Sequence, residues 1–477
     1  MQINNRIIIL IFTLSFLLLA SQDILASDYA QVEDSTSIVI STQIAHTPAH
    51  LPSALMVIPF VVLLGMIATG QLFYRHFWEK YYPIIAILLG LITVIYYLFF
   101  LNDTHSLLHT AAEYSSFIAL LGSLFVASGG ILIRIEKKST PWLNAGILLF
   151  GAVIANVIGT TGASMLLIRP FIKINQDRIK PYHIIFFIFL VSNVGGALTP
   201  IGDPPLFLGF LRGVEFFWVI QHVWYIWLPS ILLITAVFII IDFRNLNKED
   251  SGEKFSGKFE FKGMKNVFYL VIIVISVFID PGVISWVPSL SPLPFGIREI
   301  IMFAMVFIAY KTADDEILKA NEFDFEPIKE VAYLFVGIFA TMIPALQLIS
   351  HEANVLRDSL TPGIFYWATG VLSSFLDNAP TYLNFLSAAL GKEGMDVGIP
   401  AQVSSFAYDF PIYLSAISVA AVFFGAMTYI GNGPNFMVKS ISERSGIKMP
   451  SFFGYMVKYS IPILIPIYII VWLVFYF

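Results

Sequence analysis

The stretch GALTPIGDPPLF at residues 196–207 returns as GAMTYIGNGPNF at residues 425–436, with seven of twelve positions identical and no gap. Thr199 matches Thr428, Gly202 matches Gly431 and Pro205 matches Pro434. Each copy carries the core T-x-I-G-x-x-P. Glycine permits left-handed dihedrals, and proline lacks an amide donor and clashes with the preceding turn, so neither copy can continue as a helix. Both copies lie in apolar surroundings. Backbone groups freed at membrane depth cannot face lipid, so they must line a cavity or hold a ligand.

The composition around the two copies sets the solvent. Of 477 residues, 57% are hydrophobic and 12% charged, and the mean hydropathy is +0.81. Soluble domains carry about 25% charged residues, so this chain has too little polar surface to cover water-facing globules and is read as an integral membrane protein. Apolar windows near residues 54–73, 82–100, 114–135, 182–198, 223–241, 267–278, 299–310, 331–348, 413–428 and 461–477 mostly approach the ~20 residues a crossing helix needs, and they lack the alternation of a membrane barrel. Two more apolar stretches, 141–168 and 363–390, contain Gly, Thr, Asn, Asp or Pro clusters mid-segment and do not read as plain helices.

Orientation follows from lysine and arginine, which concentrate in cytoplasmic connections. The basic connections are 75–80, 134–138, 169–180, 244–265, 311–329 and 439–448. Residues 134–138 and 169–180 are both basic, so a full crossing between them would put one outside. The pattern is repaired if 141–168 enters from the cytoplasm, turns at its glycine-threonine cluster and returns. The same reasoning makes 363–390 a second hairpin dipping in from the opposite face. The expected fold is therefore an all-α polytopic membrane protein of about 10 transmembrane helices plus two re-entrant hairpins, in an inverted repeat with two broken helices, the architecture of secondary transporters.

Domain organisation follows the same reading. Residues 1–26 have one cation (Arg6), an apolar run and small residues at Ala20, Ser21, Ala26 and Ser27, the layout of a signal peptide. Residues 27–51 form an extracytoplasmic tail. His46 and His50 there flank Pro48 and are read as solvated rather than as metal ligands. Scaffold helices occupy 52–140 and 266–350. The first transport repeat spans 141–243, a cytoplasmic loop 244–265, and the second transport repeat 351–477. The expected location is the inner (plasma) membrane.

Several function classes are excluded. The chain has no cysteine, so disulfides, thiolate nucleophiles and iron-sulfur clusters are absent, and the net charge of −5 gives no reason to expect nucleic acid as partner. No G-x-x-x-x-G-K-[ST] or H-E-x-x-H motif occurs, no cofactor is expected, and no nucleophile-base cluster reads as an enzyme site.

The polar residues inside apolar surroundings fall in a few runs. Asn156, Thr160, Thr161 and Ser164 lie at the first hairpin. Asn193, Thr199 and Asp203 lie at the first break. Asp377, Asn378 and Thr381 lie at the second hairpin, and Thr428, Asn432 and Asn435 at the second break. An intramembrane carboxylate costs roughly 2.5 to 3.5 kcal/mol at a helix centre, which makes Asp203 and Asp377 the leading candidates for ion binding. Hydroxyl, amide and carbonyl oxygens beside them could complete the shell of a hard cation such as Na+. Two carboxylates sharing a low-dielectric site cannot both ionise cheaply, so proton and Na+ would compete for them. Asp203 and Asp377 are expected to meet near the midplane; the alternative is that they cap helix amino termini. Glu113, Glu352, Asp280 and His183 are read as interface positions, Arg169 as snorkelling to the cytoplasmic interface, and Glu330 as a first-turn acid favoured by the helix dipole.

SNVGGALTPIGDPP (192–205) resembles the broken-helix signature of the ion transporter superfamily, which includes divalent-anion:sodium symporters, citrate-metal symporters, arsenite permeases and NhaD-type Na+/H+ antiporters. NVIGTTGASMLLIRP (156–170) is similar to that superfamily's first hairpin, LDNAPT (376–381) to the second hairpin of the antiporter and arsenite branches, and EPIKEVAYLFVGIFATMIP (326–344) to the NhaD-type group. The resemblance implies a homodimer whose protomers move a transport portion against a scaffold by an elevator-like displacement. Carboxylate carriers of the superfamily place Ser-Asn-Thr at each hairpin tip. Here the first tip reads Ile158-Gly159-Thr160 and the second has Asp377 before Asn378. An acid at that position would repel citrate, which favours exchange of Na+ for H+ over the alternative, a citrate or metal-citrate symporter.

Overall fold

The apolar runs that precede the two repeated motifs have no polar face, so neither can stand against water, and both become the most enclosed helices of the molecule. Residues 182–190 and 414–424 are all buried. The structure is a computed structural model and describes residues 51–135, 139–246, 259–290, 293–355 and 357–477. The expected signal peptide, nearly all of the tail, and His46 and His50 lie outside the described residues.

In chain order the helices and strands are α1 (Ile58–Phe73), α2 (Arg75–Tyr96), α3 (Thr104–Gly129), β1 (Leu132–Ile135), α4 (Pro141–Ile174), α5 (Pro181–Leu190), α6 (Pro204–Leu211), α7 (Trp218–Arg244), β2 (Phe259–Lys262), α8 (Met264–Ser276), α9 (Ile297–Thr312), α10 (Asp315–Ala320), α11 (Glu326–Val355), α12 (Pro362–Phe375), α13 (Asn378–Lys392), α14 (Pro400–Asp409), α15 (Pro411–Phe424), α16 (Gly433–Arg444), α17 (Phe452–Tyr455) and α18 (Ile461–Phe475). Many of these helices begin with proline at the first or second position, where its missing amide costs nothing.

Among the described residues six helical runs are long and apolar enough to cross a membrane: Arg75–Leu101, Thr104–Gly129, Pro141–Ile174, Trp218–Arg244, Glu326–Val355 and Phe452–Phe475. The windows expected at 54–73, 182–198, 267–278 and 299–310 form the shorter helices α1, α5, α8 and α9. The window at 413–428 forms α15, which α14 precedes at a bend of 100°. One expected connection is shorter than read, since Tyr74 alone parts α1 from α2. Residues 75–80 are the first turns of α2, where Arg75 pairs with Glu79 at 2.6 Å on the exposed side while Trp78 is buried.

The segment α4 does not run straight. A continuous 34-residue helix would be about 51 Å long. Instead Asn144 and Asn175, near its two ends, exchange side-chain amide hydrogen bonds of 2.8 and 2.9 Å. The chain therefore doubles back, and it does so at Gly159, whose φ of 76° and ψ of 155° are open only to glycine at low cost. The second folded-back segment is α12 and α13, joined through Leu376 and Asp377. The rings of Phe365 and Phe385 stand 6.3 Å apart, where twenty residues of straight helix would separate them by ~30 Å. Each segment opens with Thr-Pro: Thr140 caps the amide of Leu143 and Thr361 that of Ile364.

A two-stranded antiparallel ribbon joins β1 to β2, with Leu132 opposite Lys262 and Ile135 opposite Phe259. Hydropathy windows do not register four-residue strands. Large apolar side chains on α2 and α18, including Leu88, Ile92 and Leu473, are exposed, as on a lipid-facing perimeter.

Candidate functional site

Each break is built on a threonine. The amide of Gly202 donates to Thr199 Oγ1 and that of Gly431 to Thr428 Oγ1, both at 3.1 Å. Each hydroxyl then donates to a carbonyl of a folded-back segment: Thr199 to Asn156 at 2.6 Å and Thr428 to Ser374 at 2.5 Å. A Cβ on Gly202 would lie 2.1 Å from the Gly196 carbonyl, and one on Gly431 2.7 Å from the Gly425 carbonyl, so only glycine lets the loop close on itself. The two breaks thus use the same contacts. The correspondence pairs Asn156 with Ser374, Gly159 with Asp377, Thr160 with Asn378 and Asp203 with Asn432.

Asp203 and Asn432 precede α6 and α16 with extended backbone, and neither side chain caps its own helix. Both turn to the centre, where they meet. Asp203 is 1% exposed. Its Oδ1 accepts from Thr160 Oγ1 at 2.7 Å and Asn432 Nδ2 at 3.0 Å, and its Oδ2 accepts from Asn378 Nδ2 at 2.6 Å. One carboxylate therefore gathers the tips of both folded-back segments and the opposite break. Asn432 Nδ2 also reaches the Ser192 carbonyl (3.1 Å) and Asn193 Oδ1 (3.3 Å). Asn193 donates to Asn435 Oδ1 at 2.6 Å, and Asn435 donates to the carbonyls of Gly425 and Thr428. Asn156 holds the Gly195 carbonyl and the Leu198 amide, and the hydroxyls of Ser164 and Ser192 lie 2.8 Å apart.

Asp377 takes the other position foreseen for it. It is half-buried and caps α13, accepting from the Ala379 amide at 3.0 Å. Its neighbour Asn378, not Asp377, hydrogen-bonds Asp203, because the cap geometry commits the Asp377 carboxylate to its own helix start. Thr381 Oγ1 bonds back to the Asp377 carbonyl, and Thr161 has no hydrogen bond to this cluster among the described residues. The hydrogen-bond partners of both carboxylates are neutral. The Asn378 Oδ1 is buried without a partner among the described residues, an oxygen free to accept.

The buried charges Asp242, Arg178 and Arg212 were not singled out from sequence. Asp242, fully buried, contacts Arg178 and accepts from Tyr182 Oη at 2.6 Å and Asn144 Nδ2 at 3.1 Å, with His183 Nε2 at 3.1 Å. This network clasps the base of α4 and encloses His183 within the protein. Glu113, read as interfacial, is buried against Arg212. Arg169 reaches Glu322 at 3.4 Å, and Asp280 pairs with Arg298 at 3.2 Å. The available signal was an acid at one end of an apolar run and a base at the same end of another.

No curated protein matches the chain. One family does, described as "Putative citrate transport", over residues 49–476. Such a family and long apolar helices together make this a multi-pass membrane protein of a transporter family. The match takes in both breaks, both folded-back segments and every helix described above, and the chain belongs to that family.

Proposed function

We propose that the protein is a secondary active transporter that exchanges Na+ for H+ at Asp203. The observation that carries this reading is a buried carboxylate whose partners are all neutral donors, next to an unpaired amide oxygen on Asn378. A carboxylate in that setting is costly without a counter-charge, and a small cation or a proton supplies one. Asp203, Asn378 Oδ1 and nearby backbone carbonyls offer the hard oxygens that Na+ prefers, and Asp377, one residue from Asn378, would add a second charge. Because Na+ and H+ neutralise the same group, each excludes the other. The empty anionic site stays where it is, and exchange is obligatory.

In this reading α4 enters the membrane from the cytoplasm and the α12–α13 pair from the opposite face. The two breaks meet at the midplane, and the amino-terminal tail lies outside an inner (plasma) membrane. Alternating access comes from displacing the two repeats against the scaffold helices in a homodimer, as in the NhaD-type antiporters the sequence resembles. The family description favours a second reading, symport of citrate or metal-citrate. A metal complex would tolerate Asp203 better than free citrate, which its charge repels.

Proteoliposomes acidified inside and carrying a pH-sensitive dye separate the two. Antiport predicts that external Na+ or Li+ collapses the proton gradient. Vesicles that ignore both ions and accumulate labelled citrate would exclude it.

A further inference from the structure

Arg212 and Glu113 form the one buried ion pair described above that ties the helix carrying Asp203 to a helix assigned to the scaffold. Arg212 ends α6, the eight-residue helix that begins directly after Asp203. Its Nη2 donates to Glu113 Oε2 at 2.6 Å and its Nε contacts Glu113 Oε1, a two-point contact across 99 residues of sequence. Glu113 is 5% and Arg212 6% exposed. His109, one turn earlier on α3, lies 3.8 Å from Glu113 Oε2.

The rod between the two ends is stiff. Pro204 and Pro205 start α6, and a Cβ on Gly209 would lie 2.3 Å from Tyr382 Oη, so the helix is pressed against α13 at Gly209. Eight residues of helix span about 12 Å. A shift of α6 along α3 must therefore part Arg212 from Glu113 as it carries Asp203 away. Separating a buried pair leaves two uncompensated charges, so the contact favours one relative position of the two units.

We propose that Arg212 and Glu113 are positioning residues that hold the transport unit, with Asp203 and its partners, at the place against α3 that the structure shows. This rests on the reading that α3 stays with the scaffold while α6 moves. Elsewhere along α3, Ser128 faces α4: a Cβ on Gly162 would lie 2.8 Å from Ser128 Oγ. A cysteine sulfur would stand near that Oγ, and across a disulfide each Cβ lies about 3 Å from the opposite sulfur, so the pair is within bridging reach. Ser128 is fifteen residues from Glu113, ~22 Å along the helix, so damage confined to the ion pair would not alter it.

The chain has no cysteine, so Ser128→Cys with Gly162→Cys gives a reporter free of background thiols. In the full chain, reconstituted without transported ions, the membrane-permeant oxidant diamide should form this disulfide readily. Adding Glu113→Gln or Arg212→Gln should slow it by about fivefold or more, because the arrangement loses population, and exchanging the charges as Glu113→Arg with Arg212→Glu should restore it. Wild-type cross-linking in both neutralised variants overturns the proposal, as does failure of the charge exchange to recover the rate in protein that remains monodisperse. Should a glutamine variant not fold, Arg212→Lys keeps the charge and loses the two-point contact, and an unchanged rate there counts equally against the proposal. The readout needs no substrate, so a wrong ion assignment leaves it intact.

Discussion

Asp203 and Asn432 occupy matching places at the two breaks and touch at 3.0 Å, so the charge can be moved from one break to the other. Asp203→Asn removes it. At ~3 Å and an effective dielectric of ~20, the lost attraction to a bound monovalent cation is about 5 kcal/mol, or roughly four decades of affinity, and exchange should fall below detection. Adding Asn432→Asp to that variant returns a carboxylate to within a hydrogen bond of its first position. It also removes the Asn432 donor from the Ser192 carbonyl at 3.1 Å and from Asn193 Oδ1 at 3.3 Å. Two such bonds are worth about 1 kcal/mol each, so the double variant should bind Na+ about 30-fold more weakly than the parent and still exchange it at high concentration. The assay is Na+-driven collapse of a pH gradient in proteoliposomes, titrated over Na+, with thermal unfolding as the control for folding. Normal exchange by Asp203→Asn would remove the carboxylate from the mechanism. A double variant as inactive as the single one, though folded, would refute the idea that charge position alone sets binding.

Asp377→Asn should abolish exchange while changing stability by less than about 0.5 kcal/mol, since asparagine caps a helix as well as aspartate does; thermal unfolding and flux together check it. Gly159→Ala places a side chain at φ 76° with its Cβ 3.3 Å from the Ile201 carbonyl, and should destabilise by about 1–3 kcal/mol, read as a lower Tm in detergent. Asp242→Asn leaves Arg178 buried with no acid partner and should cost about 3–5 kcal/mol, enough to deplete monodisperse protein in size-exclusion chromatography.

The breaks were legible because their chemistry is local: T-x-I-G-x-x-P stops a helix wherever it occurs, and both copies do so here. The doubling back of α4 was legible from its cluster of Gly159, Thr160 and Thr161 and from charge parity, although the residue that turns the chain, Gly159, stands out only by its dihedral angles. Most of the polar residues read from sequence do converge, with Thr160, Asn378 and Asn432 on Asp203. The relation of Asp203 to Asp377 was not legible. One residue of register at a helix start decides whether an acid faces the centre or caps its own helix, and composition is blind to that. The buried pairs Glu113 with Arg212 and Asn144 with Asp242 join positions 99 and 98 residues apart, a distance over which no periodicity carries information.

The ribbon of β1 with β2 has a consequence for how the chain is strung. Ile135 lies opposite Phe259, so the chain departs for the first repeat and comes home from it side by side. In the proposed movement both linkers of that module would start from one place, so its travel would not pull the two strands apart. Joining the two strands covalently should leave that module as mobile as before, whereas clamping its far side should not.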